Sequence, residues 1–183
     1  MITIRELTKD ELRQAIELKI LCWPEELAGK AEKTLELSEE LKYWTKWKDT
    51  ANNYNDVRIL IGAFENDKML GVAFASFAEI EDLPQNNGME LNGIWVYPQH
   101  RGRGISLRLI LYILDYFKKL NKEKIVIYNF HYAPSNTFYR NFGATVVRKV
   151  KQIDIKVLTD VFMVDIDIFK DNIEKSLLKY LLK

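Results

Sequence analysis

Cysteine and histidine are scarce in this 183-residue chain, which has one cysteine, Cys22, and two histidines, His100 and His131. A single cysteine excludes an internal disulfide framework and any Cys-rich metal site. Two histidines leave little from which to build a zinc centre, so no metal is expected. An excess of one charge is also missing. Lys and Arg number 27 against 26 Asp and Glu, a net charge of +1, which removes the electrostatic argument for a dedicated nucleic-acid binder. The basic stretches Lys118–Lys124 and Arg148–Lys151 do not reverse that balance. No apolar run approaches the roughly 20 residues that a membrane span requires. The first residues, Met1–Glu6, have neither the basic nor the apolar region of a signal peptide. The expectation is a soluble, cytoplasmic protein with no nucleic-acid or membrane partner, monomeric or homodimeric. With four prolines, eight glycines and no repeat or linker, a single domain over 1–183 is expected.

What is present is periodicity. Met1–Leu7 alternates as a short strand. Thr8 with Glu11 forms a capping box for a helix that carries Leu12, Ala15, Ile16 and Cys22 on one face and is expected to stop near Trp23-Pro24. A second helix, Ser38–Lys48, has Glu39 and Glu40 in its first turn and Lys46 and Lys48 in its last, as the helix dipole favours. Its aromatics Tyr43, Trp44 and Trp47 suit either a core or a lid over a site. Val57–Glu65 and Met69–Ile80 are strands joined through Asn66-Asp67-Lys68, a hairpin turn by its chemistry. An acidic loop over residues 79–88 leads to a strand, Met89–Tyr97. In Ile105–Leu120 the polar residues Arg108, Tyr112, Asp115 and Lys119 form one stripe, so the rest of that helix is expected to be buried on a sheet. Lys124–Phe130 follows as a strand parallel to Met89–Tyr97. A short helix, Thr137–Phe142, is closed by Gly143. Two strands, Ala144–Ile155 and Val161–Ile168, and a helix over 169–183 complete the chain. The fold class is α+β: a mixed, mostly antiparallel sheet with one parallel crossover and helices on both faces.

The stretch Val96-Tyr97-Pro98-Gln99-His100-Arg101-Gly102-Arg103-Gly104-Ile105-Ser106 joins a strand to a long helix. Its glycines let successive N–H groups converge, and the helix start adds unsatisfied donors and a positive dipole end. Such a turn suits a phosphate or pyrophosphate. These residues resemble the GNAT superfamily, the N-acetyltransferases that use acetyl-coenzyme A. That family's fingerprint is Arg/Gln-x-x-Gly-x-Gly/Ala after a strand ending Val-x-Pro. Arg101 and Gly104 match it, and Ser106 stands where Gly or Ala is usual. The pattern also fits from Gln99 through Gly102 to Gly104. Phe138-Tyr139-Arg140-Asn141-Phe142-Gly143 resembles the second signature, an aromatic or apolar residue, Tyr, three residues, then Gly. Tyr132 occupies the position where the family often has Asn, and Asn136 is taken to fill that role.

The resemblance implies an acyltransferase that moves acetyl from acetyl-coenzyme A (the co-substrate) to a primary amine of a small molecule. Arg101, Gly102, Arg103, Gly104, Ile105 and Ser106 would hold the pyrophosphate, and Ile94, Trp95 and Val96 would line the pantetheine arm. Ile94 N–H would polarise the acetyl carbonyl. Gly93 fits either a bulge that frees this N–H or room for a large neighbour. Tyr139 would protonate the leaving thiolate, or else only pack against it. Glu90, with Asn92, Ile94 and Val96 on its face before any bulge, would take the amine's proton through water, or else is a solvated strand glutamate. Glu79, Glu81 and Asp82 would attract a cationic acceptor, or are solvated. Cys22 is expected in the core. A protein or peptide N-acetyltransferase and a longer-chain acyl-CoA transferase keep the same fold. A non-catalytic coenzyme A-binding module is disfavoured by the presence of both Tyr139 and the Arg-Gly-Arg-Gly turn.

Overall fold

Among the described residues, seven strands form one sheet in the order β1-β2-β3-β4-β5-β7-β6. The computed structural model describes residues 1–151 and 157–181. The strands are β1 (Thr3–Glu6), β2 (Ile59–Glu65), β3 (Lys68–Phe77), β4 (Gly88–Val96), β5 (Lys124–Phe130), β6 (Thr145–Lys151) and β7 (Leu158–Asp165). The helices are α1 (Lys9–Leu27), α2 (Leu37–Asp49), α3 (Ile105–Lys118), α4 (Asn136–Asn141) and α5 (Ile166–Leu181). Neighbouring strands run antiparallel except β4 and β5, which are parallel. The arrangement is the α+β class expected, with one parallel crossover through α3.

Local chemistry accounts for the joins. Asn66 and Asp67 take φ of 50° and 61° between β2 and β3, the left-handed pair that a tight hairpin requires. At the start of α1, Glu11 N–H donates to Thr8 Oγ1 and Thr8 N–H donates to Glu11 Oε2, so the capping box closes in both directions. The stripe on α3 behaves as its period requires: Tyr112, Asp115 and Lys119 are exposed and Arg108 is half-buried. Ile105, Leu109, Ile110, Ile113 and Phe117 are buried on the sheet.

Two apolar layers sandwich the sheet. On one face α3 and α5 cover Ala73, Ala75, Met89, Leu91 and Ile125. On the other, α1 and α2 cover Val72, Phe74 and Trp95. There Trp44 is buried, with its ring centroid 4.9 Å from Phe74, so this aromatic of α2 belongs to the core. Tyr43 is exposed.

Position of the site depends on β4. It pairs with β5 only at Gly88–Lys124, Met89–Ile125 and Glu90–Val126, and beyond Glu90 the two strands part. On its other edge β4 pairs with β3, but Ala75 faces Leu91 while Phe74 faces Gly93. Asn92 is therefore the extra residue of a β-bulge. Because side chains alternate, one extra residue swaps every later side chain to the opposite face. Glu90 and Trp95 share the α1/α2 face, and Ile94 and Val96 turn toward α3. The single face expected for Glu90, Asn92, Ile94 and Val96 is thus broken at the bulge.

Several boundaries differ from expectation. Helix α1 runs through Pro24 to Leu27, although proline removes an interior helical bond. Contacts from its last turn outweigh that loss: Leu27 is buried with Phe130, Ala133 and Val157, Glu26 accepts from Trp95, and Glu25 pairs with Arg101. The last strand and helix begin three residues earlier than expected, because Ile166, Phe169, Ile173 and Leu177 form a buried stripe at helical spacing. The expected strand Ala144–Ile155 is observed from Thr145 to Lys151, and its last four residues lie outside the described residues, as do 182–183 of the last helix. Among the described residues no helix is long and apolar enough to cross a membrane.

Phe117 is fully buried in the larger core, 6.0 Å between ring centroids from Phe77. Phe117→Ala is expected to cost about 3–5 kcal/mol in urea denaturation. A cost under about 1 kcal/mol, the size of a surface change, would contradict this packing.

Candidate active site

Where β4 and β5 part, they leave a cleft of about 590 Å³. Leu91–Val96 form one wall and Ile127–Asn129 the other. The turn after β4 closes one end, Pro134, Ser135, Phe138 and Tyr139 lie along β5, and the last turn of α1 covers the mouth with Cys22, Glu25 and Glu26. Helix α5 adds Ser176 and Tyr180.

The turn has the geometry of an anion cradle. Gly102 and Gly104 take φ of 74° and 71°, and Gly104 caps α3 in the left-handed conformation. A Cβ at Gly104 would also lie 3.1 Å from Leu177 Cδ2, so both backbone and space favour glycine there. Gly102, Gly104, Ile105 and Ser106 line the cleft with Arg101. Arg101 donates through Nε to Val96 O at 3.2 Å and through Nη1 to Glu25 Oε1 and Oε2 at 3.0 and 2.8 Å. Arg103 is turned away from the cleft wall and its Nη2 donates to both oxygens of Glu65, at 2.9 and 3.0 Å. Both pairs are solvent-exposed, and exposed pairs are worth ~0–1 kcal/mol. A polyphosphate arriving at the helix start displaces such partners at little cost.

Along β5 the structure separates two residues. Tyr139 is buried, lines the cleft, and lies with its ring 5.8 Å from that of Phe162. Burial pushes its phenol pKa well up, and the nearby charge of Glu26 pushes it further. Asn136 is buried behind the wall. Its Nδ2 donates to Phe130 O and His131 O, both at 2.9 Å, and its Oδ1 accepts from Asn129 Nδ2 at 2.7 Å. It ties α4 to the end of β5, while Asn129 is the residue exposed to the cleft.

Two carboxyls have pKa values pushed up to about 7. Glu90 is half-buried on the α1/α2 side of β4, next to the stretch of that strand that lines the cleft. Burial raises it most, the charges of Glu79, Asp82 and Asp56 add to the rise, and a hydrogen bond from Asn92 opposes it. Glu26 is on the wall. Burial again dominates, Glu25 adds to it, and the Trp95 hydrogen bond and Lys19 oppose it. The Trp95 indole lies across Gly93, where a Cβ would come within 2.1 Å of Cη2. Gly93 therefore does both things expected of it, sitting at the bulge and making room for a ring.

Trp95 Nε1 donates to Glu26 Oε1. Nearby, Lys19 Nζ donates to Glu40 Oε2 at 2.6 Å and lies 5.1 Å from the Trp44 ring centroid. Ile94, Trp95, Val96, Arg101, Gly102, Gly104, Ile105, Ser106 and Tyr139 thus share one cleft, while Glu90, Arg103 and Asn136 stand outside its wall. Glu25, Glu26, Asn129, Ser176 and Tyr180 line it without having been singled out. A helix expected to stop at Pro24 hid the first two, and no local pattern marks the rest.

A model of the acetyltransferase (GNAT) family matches residues 13–144. No curated protein matches the chain. Among solved structures it is similar to an N-acetyltransferase from Staphylococcus aureus Mu50, with 19% identity, a TM-score of 0.67, and 91% of this chain and 99% of that one covered. It is also similar to a spermidine N-acetyltransferase from Vibrio cholerae in complex with CoA and spermine, with 18% identity, a TM-score of 0.64, and 92% and 97% covered. A ribosomal-protein-alanine N-acetyltransferase from Brucella melitensis is 16% identical with a TM-score of 0.64, and 89% and 99% are covered. At such identities the likeness is one of fold.

The raised pKa of Glu26 has a signed consequence for stability. Below the ordinary carboxyl range, Glu26 is neutral in both folded and unfolded chains and costs nothing. As pH rises toward about 7, the unfolded chain loses this proton first, so stability falls. Glu26→Gln is therefore expected to raise the melting temperature at pH ~8 and to leave it nearly unchanged at pH ~4.5, read by scanning calorimetry of the ligand-free protein. An equal gain at both pH values would mean that the carboxyl is not perturbed.

Proposed function

The chain belongs to the acetyltransferase (GNAT) family, and from that premise we propose that it transfers acetyl from acetyl-coenzyme A directly to a primary amine of a small molecule. The observation that carries this reading is the parting of β4 from β5 beside an anion cradle, with Tyr139 on the opposite wall. The gap leaves β4 backbone groups without strand partners, and a pantetheine amide chain can add there like a strand. With the pyrophosphate on the amides of Gly102–Ser106, the arm runs along Ile94–Val96 toward the bulge. Ile94 N–H then faces the acetyl oxygen and stabilises the oxyanion, a contribution of ~3 kcal/mol for one well-placed donor.

Tyr139 serves as the acid. Its raised pKa keeps the phenol neutral at physiological pH, so it is available to donate a proton to the departing thiolate. Glu90, next to the acidic Glu79 and Asp82, draws an ammonium toward the cleft. Arg101 releases Glu25 when it takes the pyrophosphate, and Arg103 stands close enough in sequence to follow if it leaves Glu65.

Three measurements follow from these assignments. Coenzyme A is expected to raise the melting temperature by mass action, and no shift at ~1 mM ligand would remove the reading. Tyr139→Phe should lower kcat about 100-fold while leaving the coenzyme A shift intact, since general acid catalysis is worth about that or more. Unchanged turnover in Tyr139→Phe would make the tyrosine a packing residue. Glu25→Gln should tighten coenzyme A binding by up to about five-fold, the value of one exposed ion pair; weaker binding in calorimetry would show that the pair builds the cradle instead.

A further inference from the structure

Glu26 is a half-buried carboxyl on the wall of the cleft, and the steps above leave it without a role. The last turn of α1 carries it past Pro24 and over the gap between β4 and β5. Trp95 Nε1 holds one of its oxygens, Oε1, and Trp95 is itself fixed across Gly93 at the bulge. The side chain is therefore aimed and its second oxygen remains available. It lines the cleft with Ile94 and with Tyr139 from α4, and Glu90 is not among the lining residues.

We propose that Glu26 is a catalytic carboxylate of this chain, taking the proton of the incoming ammonium directly, with Glu90 drawing the ammonium in rather than accepting its proton. This rests on the acetyltransferase reading above. The step balances as follows. The ammonium gives one proton to the Glu26 carboxylate, and the neutral amine attacks the acetyl carbonyl carbon, forming the N–C bond. The C–S bond breaks, the thiolate takes the Tyr139 proton, and the phenolate recovers a proton from the acylated nitrogen. Glu26 returns its proton to solvent, so one proton is released per amide formed.

The charges around Glu26 suit this order. Lys19, bonded to Glu40 of α2, favours its ionised form, while Glu25, itself paired with Arg101, opposes it. Cys22 lies in the same turn, with its thiol pKa raised by burial. Across the cleft, the charge on Glu26 makes Tyr139 hold its proton more tightly. Once Glu26 has taken the amine's proton, that repulsion vanishes. Tyr139 becomes a stronger acid at the stage when the thiolate needs one.

The test uses the full chain with acetyl-coenzyme A and three amines, benzylamine, ethanolamine and spermidine, scored by thiol release between pH ~5.5 and ~9. Wild type is expected to show kcat/KM rising through a pKa of about 7. Glu26→Gln, which keeps an acceptor for Trp95, should lose that limb and fall about 100-fold. Glu90→Gln should keep the limb and fall less than about ten-fold. A Glu26→Gln enzyme with the wild-type limb overturns the proposal, as does loss of the limb in Glu90→Gln alone. A second readout needs no acceptor. Protonation of Glu26 alters its bond with the Trp95 indole, so tryptophan fluorescence of wild type, titrated with coenzyme A bound, should show a step near pH 7 that Glu26→Gln lacks. No step in wild type overturns the assignment. A coenzyme A melting shift retained in Glu26→Gln separates that result from failure of the acetyltransferase reading, in which wild type itself shows no shift.

Discussion

The structure depends on β4 and β5 being paired for three residues and no more. A parallel pair carried to full length would have satisfied its own backbone groups and closed the sheet. Here the bulge at Asn92 and Gly93 bends β4 away just past the last paired residue, Glu90. The sheet therefore contains an internal edge, with unpaired polar groups facing a cleft instead of solvent. Buried backbone groups left without partners are costly, so this edge favours a ligand able to hydrogen-bond along a strand. Placing the gap at the end of the crossover puts the same ligand against the start of α3, where the dipole and unpaired amides accept its anionic end. On the reading proposed above, one bulge would set the position of both ends of that ligand.

The bulge also decides which side chains meet the gap. Without it, Glu90, Ile94 and Val96 would share a face. With it, Ile94 and Val96 turn toward α3, and Trp95 lies under α1 on the side of Glu90. The indole covers Gly93 and reaches Glu26, so a backbone irregularity in the sheet becomes the anchor of a carboxyl on a helix. That link is between elements far apart in sequence, and no pattern within either element encodes it.

This explains which parts were legible in the sequence. Periods of two and 3.6, the Thr8–Glu11 box, the Asn66-Asp67 turn and the Gly-rich stretch are local signals, and the elements they mark are observed. The pairing of Gly93 with a bulge and a ring was open in kind but not in combination. Boundaries depart from the local signal where burial overrides a local rule. Proline predicts a stop at Trp23-Pro24, but Leu27, Glu26 and Glu25 each gain a tertiary partner. Val161–Val164 is almost wholly apolar because β7 is covered on both faces, so alternation did not mark its start. Asn136 belongs to the same class. Its residue type suggested a ligand contact, and its amide is spent on Phe130 and His131 carbonyls.

The last turn of α1 combines these threads. Glu25 occupies the arginine of the cradle, Glu26 faces the gap, and Leu27 pins the turn to the end of β5. The turn lacks one helical hydrogen bond at Pro24, and its side-chain contacts add to what its backbone keeps. An anion that draws Arg101 from Glu25 removes one of those three contacts and leaves the other two, at Trp95 and Phe130. The turn then stays over the cleft but is no longer tied to the cradle. The arginine partner Glu25 and the cleft carboxyl Glu26 are thus neighbours in one turn, so the cradle and the wall opposite Tyr139 share a single stretch of helix.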